Sequence, residues 1–142
     1  MRGSLQRRLW GAGLLCLLLP LLYTMWILVQ VYSAVWGSGL PGGGNGPADA
    51  YRHSLASALV SYTLSPRVIE AVTRLTERHA DAADAMDRHN NRLGARIGAQ
   101  AASLADTKAQ IRRAVNAGQV YAPNDDQITW MPPSSWQNDR FY

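Results

Sequence analysis

Three histidines and one aspartate are the side chains of this 142-residue sequence that are best suited to acid–base chemistry. The histidines are His53, His79 and His89, and Asp87 stands two residues before the last of them. A carboxylate beside a neutral imidazole fixes its tautomer and raises its basicity, so that the pair can activate a water molecule. We therefore predict that His53 or His79 acts as a base and that Asp87 orients it.

The helical phase of several polar residues indicates that they face the protein core. In each of three predicted helices, one polar residue is in line with a stripe of residues spaced three or four apart. These sets are His53 with Ser57, Val60 and Leu64; His79 with Val68, Val72 and Leu75; and Asn90 with Met86, Leu93 and Ile97. Because buried polar groups are costly unless they pair, we expect His53, His79 and Asn90 to meet in one hydrogen-bonded network.

Two glycines on the predicted third helix indicate a close approach by another group. Asp87, Asn91, Gly94 and Gly98 share one ridge, at spacings of four and three. Each glycine costs about 1 kcal/mol of helix stability relative to alanine. We therefore expect a second backbone or a ligand to contact the helix along this ridge.

Other chemistries remain open for the same residues. A divalent metal would need about three such ligands, with Asp87 or Glu77 as a base or a fourth ligand, but no HExxH-like spacing is present. A serine hydrolase could combine Ser54 or Ser57 with a histidine and Asp87, although no nucleophile elbow supports it. A purely structural hydrogen-bonded network is a further alternative, and no cofactor is predicted.

The distribution of charge argues against a nucleic-acid partner. Lys and Arg number 14 and Asp and Glu number 10, which leaves a net charge of +4. Arg2, Arg7 and Arg8 stand at the N-terminal tip, Arg140 lies in the C-terminal tail, and the other bases are interspersed with acids along predicted helices. Without a concentrated basic face, nucleic-acid binding is not expected. The single cysteine, Cys16, excludes an internal disulfide and a thiolate metal cluster.

Helix-boundary residues predict four helices after residue 47. Ser65 and Pro66 suit the start of a helix, Ser103 and Asp106 form a capping pair, and Gly118 suits a helix end. The predicted helices cover about residues 48–64, 66–80, 83–102 and 104–117. The predicted fold class is therefore all-α, with a compact four-helix domain over residues 48–118.

The N-terminal part of the chain predicts a transmembrane helix over residues 9–36. No charged residue occurs between Arg8 and Asp49, and about 20 apolar residues suffice to cross a bilayer. The apolar run exceeds the roughly 7–15 residues of a cleaved signal peptide, so we expect it to stay attached. By the positive-inside rule, the basic tip over residues 1–8 is cytoplasmic. This topology predicts a single-pass protein of the bacterial inner membrane with a periplasmic domain.

Two irregular segments flank the predicted helical domain. Residues 37–47 contain six glycines and two prolines, which predicts a flexible or irregular tether. Residues 119–142 combine prolines with several aromatic residues, among them Trp130 and Trp136. Because free disordered tails are poor in aromatic residues, we expect this extended tail to pack on its own domain or on a partner.

Two motifs resemble those of an uncharacterised family of small all-helical bacterial domains, the domain of unknown function DUF6973. The chain reads DAYRH at 49–53 and MDRHNNRLG at 86–94, with His79 between them. The resemblance is to the pattern DAxRH, then H, then MDxHNNxxG. The site that it implies consists of Arg52, His53, His79, Asp87, Asn90 and Asn91, with Gly94 at a close-packing position. The resemblance suggests hydrolases or toxins without giving a reaction.

Two functions from different classes are consistent with the sequence. The first is a membrane-anchored hydrolase that acts near the membrane or cell wall, with His53, His79 and Asp87 as catalytic residues. The residues expected to bind its ligand are Arg52, His89, Asn90 and Asn91. The second function is a non-catalytic accessory subunit of an inner-membrane complex, which would dock on other subunits through its transmembrane helix and its tail.

Overall fold

The structure is a computed structural model that describes residues 2–76, 81–121 and 126–137. The described part of the chain is mostly helical and includes one short pair of strands. Its elements are α1 (Arg2–Trp36), α2 (Pro47–Thr63), α3 (Pro66–Thr76), α4 (Ala82–Gln100), α5 (Leu104–Asn116), β1 (Gln119–Val120), β2 (Thr129–Trp130) and a 3₁₀ turn (Pro133–Ser135). Helices α2, α4 and α5 begin and end within two residues of the predicted ranges.

Local side-chain chemistry explains where the helices begin. The carboxylate of Asp81 accepts a hydrogen bond of 2.8 Å from the backbone N–H of Asp84 at the start of α4. The hydroxyl of Ser103 likewise accepts from the N–H of Asp106 at 3.1 Å, which confirms the predicted capping pair. These bonds satisfy N–H groups that have no partner within the helix.

Helix α2 lies at the centre of the domain and packs in parallel against α4. Gly94 and Gly98 allow the two backbones to approach, because a Cβ on either glycine would overlap the carbonyl oxygen of Ser54 or Ala58. The close approach predicted for these glycines is therefore made by the backbone of α2. The buried core around this contact includes Leu55, Leu59, Met86, Leu93, Ile111, Val115 and Ile128.

The C-terminal half of α1 packs against the domain, antiparallel to α2. Ile27, Val31 and Val35 are buried in the same core as α2. The Tyr23 and Thr63 hydroxyls share a hydrogen bond of 2.6 Å. Within α1, Leu15–Trp36 is long and apolar enough to cross a membrane by length and composition. The domain is therefore docked on α1, whereas the sequence predicted a tether between the two.

Two of the predicted apolar stripes differ from the packing in the structure. On α3, Val72 is 52% exposed, whereas Ile69 is buried. Leu64 is 58% exposed because it follows the last turn of α2, at the corner that leads into α3. The stripe on α4 is confirmed at Met86 and Leu93, both of which are buried.

The glycine-rich segment and the C-terminal segment are both folded against the helices. The N–H groups of Ala48 and Asp49 donate to the carbonyl oxygens of Pro41 and Gly42, at 2.9 and 3.2 Å. Strand β1 pairs in parallel with β2, which draws the chain back to the domain. Residues 126–137 therefore pack on their own domain, one of the two alternatives left open by the sequence.

Candidate functional site

The site begins with Asp49, a buried carboxylate in the first turn of α2. Its Oδ1 forms an ion pair with Arg52 Nη2 and lies 3.3 Å from Nε2 of His53. Its Oδ2 accepts a hydrogen bond of 2.6 Å from the backbone N–H of Asn45. Spacings of three and four residues place Arg52 and His53 beside Asp49 on one helix surface. Asp49 therefore orients both side chains.

A second carboxylate, Asp87 on α4, approaches the same histidine from the neighbouring helix. Asp87 Oδ2 lies 3.6 Å from His53 Nε2. Asp87 Oδ1 is buried and has no hydrogen-bond partner among the described residues. The side chains of His53 and Asp87 are 32% and 26% exposed, so solvent reaches the pair. One ring nitrogen of His53, Nε2, thus faces two carboxylates that come from different helices.

The surroundings of the two carboxylates shift their pKa values in opposite directions. Burial raises the pKa of Asp87 to about 6, although the positive charge of His53 opposes the shift. Burial would also raise the pKa of Asp49, but the hydrogen bond and charge of His53, the Asn45 N–H and the charge of Arg52 lower it overall. Asp49 therefore stays ionised, while Asp87 can exchange a proton near neutral pH.

His53 itself is shifted toward its charged form. Burial would lower its pKa, but the hydrogen bond to Asp49 and the negative charges of Asp87 and Asp49 outweigh burial and raise it. The pair that can exchange protons thus consists of a carboxyl with a pKa near 6 and an imidazole with a pKa above its usual range. Environments that push the pKa values of two neighbouring groups apart, as those of Asp49 and Asp87 are here, are typical of acid–base sites.

The glycine-rich segment supports the outer side of this cluster. Arg52 Nη1 donates a hydrogen bond of 3.2 Å to the carbonyl oxygen of Gly43. Gly42 has a φ of +73°, and a Cβ there would lie 2.7 Å from the Cα of Gly46. Glycine is therefore required at position 42, both for its conformation and for the close approach.

Three residues predicted to bind a ligand make structural contacts. Both ends of the buried Asn90 amide bond the backbone of Thr129, at 2.7 and 3.0 Å. His89 Nε2 donates to the carbonyl oxygen of Gln127 at 2.6 Å. Asn91 Oδ1 accepts a hydrogen bond from the hydroxyl of Ser57 at 2.9 Å. We assign these side chains to holding the C-terminal segment and α2 against α4.

His53 and Asn90 have other partners than the network with His79 that the sequence predicted. His53 pairs with carboxylates, whereas Asn90 is engaged by a backbone 39 residues further along the chain. The prediction erred because helical phase alone does not show that a later segment covers α4. His79 lies outside the described residues.

Sequence reasoning missed the role of Asp49. The motif DAYRH includes Asp49 as its first residue, but the sequence prediction gives Asp49 no role in the site. Its position four residues before His53 and three before Arg52 on one predicted helix was a usable signal, because side chains at those spacings are neighbours.

The cluster has the ligand types of a metal site, but one of its two carboxylates is already paired with a cation. Asp49, His53 and Asp87 each offer a ligand atom, and these atoms lie within 4.8 Å of one another. However, Asp49 Oδ1 is occupied by the guanidinium of Arg52, and Oδ2 by the backbone of Asn45. A divalent ion would have to displace Arg52 to use all three ligands.

Fold and site together define a mostly helical domain that is docked on an apolar N-terminal helix and carries a histidine–carboxylate cluster. Residues 33–119 match the family model described as "Domain of unknown function (DUF6973)". This match spans more than half of the chain, so the protein belongs to that family, as its motifs predicted. Comparison with curated proteins and with solved structures gives no match.

Proposed function

We propose that the protein is a membrane-anchored hydrolase in which Asp87 is the general base and His53 is the general acid. The observation that carries the proposal is that Nε2 of His53 faces two carboxylates with oppositely shifted pKa values. Asp87, with a pKa near 6, accepts a proton from water. Charged His53 donates a proton to the leaving group. Asp49 and Arg52 hold His53 in place.

The proposed roles differ from those expected from the sequence. There, a histidine was the base and Asp87 was the orienting group. The two roles exchange because the pKa of His53 is raised and that of Asp87 stays lower, near 6. At neutral pH the carboxylate is then the proton acceptor and the imidazolium is the proton donor.

The proposed location follows from the N-terminal segment. Helix α1, whose apolar part includes Leu15–Trp36, would anchor the protein in the bacterial inner membrane, with Arg2, Arg7 and Arg8 in the cytoplasm. The domain would then lie in the periplasm, where bonds in lipid headgroups or in the cell wall are within reach.

The test is hydrolysis by the full chain in nonionic micelles, with chromogenic ester, phosphodiester, amide and glycoside substrates. We expect activity on at least one class and a loss of about 10²-fold or more in kcat/KM for Asp87→Asn and His53→Asn. Asp84→Asn is the matched control, because it makes the same change one turn earlier on α4. Equal activity of Asp87→Asn and Asp84→Asn would contradict the proposal.

The pH profile distinguishes a catalytic role from a structural one. The value of kcat/KM should rise as the pH passes about 6, where Asp87 loses its proton. It should fall again as the pH passes the raised pKa of His53. A profile without the limb near pH 6 would exclude Asp87 as the base.

A specific observation also favours the accessory-subunit function. Leu17 and Leu22 on α1 are 74% and 63% exposed, on a helix surface that the domain does not cover. Other transmembrane helices could pack there. Purification from the native membrane in mild detergent tests this alternative, since a stoichiometric partner lost in a Leu17→Arg variant would support it.

A further inference from the structure

We propose that the end of the domain opposite the His53 cluster is immersed in the surface of the lipid bilayer. This lower surface consists of residues 61–66 at the α2–α3 corner and residues 100–105 at the α4–α5 turn. The inference rests on the proposed membrane anchoring by α1 and is independent of hydrolytic activity. It assigns the domain a second lipid contact in addition to its anchor.

The hydrogen bond between Tyr23 and Thr63 sets the depth of the lower surface. A hydrocarbon core of about 30 Å is crossed by about 20 helical residues, so a span that begins after Arg8 ends near Leu28. Tyr23 lies five residues before that end, about 7.5 Å inside the core. Since Thr63 bonds Tyr23 at 2.6 Å, the α2–α3 corner reaches the same depth.

Charged side chains mark where the domain leaves the bilayer. Lys108 Nζ donates a hydrogen bond of 2.6 Å to Gln30 Oε1 on α1. Arg112 Nη2 donates to the carbonyl oxygen of Ser38 at 2.9 Å, one turn further along α5. Both contacts lie beyond Leu28, on the aqueous side. The boundary inferred from the length of the span therefore agrees with the boundary marked by charge.

The composition of the lower surface suits contact with lipid. No Asp, Glu, Lys or Arg occurs in residues 54–66 or 97–105. The charged residues at the edge of this surface are Arg67 and Asp106, and the carboxylate of Asp106 accepts a hydrogen bond of 3.0 Å from the N–H of Ala102, which places this edge at the level of the headgroups. Within the surface, Tyr62 is 38% exposed and Leu64 is 58% exposed. Tyrosine beside an apolar side chain is typical of the membrane interface.

A bilayer is the occupant that the contacts favour over a protein. The lower surface is continuous with the exposed apolar side of α1, because the Tyr23–Thr63 bond joins them. Any chain inserted through α1 brings this surface to the lipid without a further partner. A second copy would have to displace lipid that is already there.

The test uses single-cysteine variants labelled with the fluorophore NBD in a Cys16→Ser background. The full chain is reconstituted in vesicles of phosphatidylcholine and phosphatidylglycerol, with nitroxide lipids as quenchers in the membrane and iodide as a quencher in water. Leu64→Cys reports on the lower surface and Leu19→Cys on the span. Asn116→Cys is the matched exposed control at the far end of α5.

We expect the Leu64 probe to emit at shorter wavelength than the Asn116 probe, with severalfold stronger quenching by nitroxide lipid and severalfold weaker quenching by iodide. Tyr62→Cys should behave in the same way, which guards against local misfolding of one variant. Iodide quenching of Leu64 equal to that of Asn116 would overturn the inference. A shift in the emission of the Leu64 probe that depends on the protein-to-lipid ratio, without quenching by nitroxide lipid, would also overturn the inference. That result indicates that a second copy of the chain covers the surface.

The Leu19 probe separates failure of this inference from failure of the anchor. A deeply quenched Leu19 with a water-exposed Leu64 would refute immersion while leaving α1 in the membrane. A water-exposed Leu19 would refute the anchoring on which both proposals depend. Hydrolytic activity does not enter either result.

Discussion

The Asp87→Asn variant isolates the charge of the proposed base, because asparagine has nearly the same shape and stays neutral at every pH. Asp87 lies against His53 on the side of α4 that faces α2, with Oδ1 buried and without a partner among the described residues. In the native protein, ionisation of Asp87 places a charge in this half-buried position. In the variant, that event is absent.

The expected magnitude follows from the raised pKa. The pKa of Asp87 moves from 3.8 to about 6, and each unit corresponds to about 1.4 kcal/mol. Because the pKa of Asp87 is higher in the folded state than in the unfolded state, its protonated carboxyl contributes its full stability below the ordinary pKa of 3.8. This contribution is lost as the pH rises from that value through about 6. The full loss is about 3 kcal/mol, of which about 1.4 kcal/mol falls between about pH 5 and pH 8.

The assay is urea unfolding of the domain, in the full chain in nonionic micelles, at both pH values. We expect the wild type to lose about 1.4 kcal/mol more than Asp87→Asn between the two pH values. Asp84→Asn should lose nearly as much as the wild type, because the charge of Asp84 is the weakest of the influences that raise the pKa of Asp87. Titration of the Asp87 carboxyl by carbon NMR measures the same pKa directly. An equal loss in Asp87→Asn and the wild type, or a carboxyl that titrates near 4, would refute the reasoning.

Three further predictions concern packing and charge. Gly94→Ala forces α2 and α4 apart and should lower the free energy of unfolding by about 2–4 kcal/mol. Gly37→Ala is the control, because its Cβ would lie 3.4 Å from the nearest atom, and it should change the free energy of unfolding by less than about 0.5 kcal/mol. Asn90→Leu removes both bonds to Thr129 and should cost about 2–4 kcal/mol, with faster hydrogen exchange at the Thr129 amide; an unchanged exchange rate would contradict this assignment. Arg52→Ala should raise the affinity for Mn²⁺ about tenfold in calorimetric titration, because the guanidinium occupies a carboxylate oxygen that the ion needs; equal affinity in the wild type would exclude this competition.

Helix boundaries and the close packing of glycines could be predicted because their signals are local. The Ser103 cap forms with a residue three positions away, and the cost of glycine on a helix already implied that something approaches Gly94. Both predictions depend on spacing within one element. Neither requires knowledge of where the rest of the chain lies.

The predictions that failed depended on contacts between distant segments. Asn90 bonds the backbone of Thr129, 39 residues away, so its helical phase identified it as buried without identifying its partner. Val72 followed an apolar spacing on α3, yet Ile69 occupies the core because the corner after α2 sets the rotation of α3. Asp49 is a different case, because its partners Asn45, Arg52 and His53 all lie within four residues of it, and its role was missed although the signal was local.

The antiparallel contact of α1 with α2 fixes the position of the His53 cluster along the axis of α1. His53 lies ten residues before Thr63 on α2, which is about 15 Å along the helix axis, and Thr63 is bonded to α1. Under the proposed function, a membrane-anchored site at constant height would meet its substrates by lateral diffusion in the plane of the bilayer. Turnover should then depend on the substrate's density in the membrane. Adding inert lipid should slow the reaction, and diluting the vesicles in buffer should leave the rate per molecule unchanged.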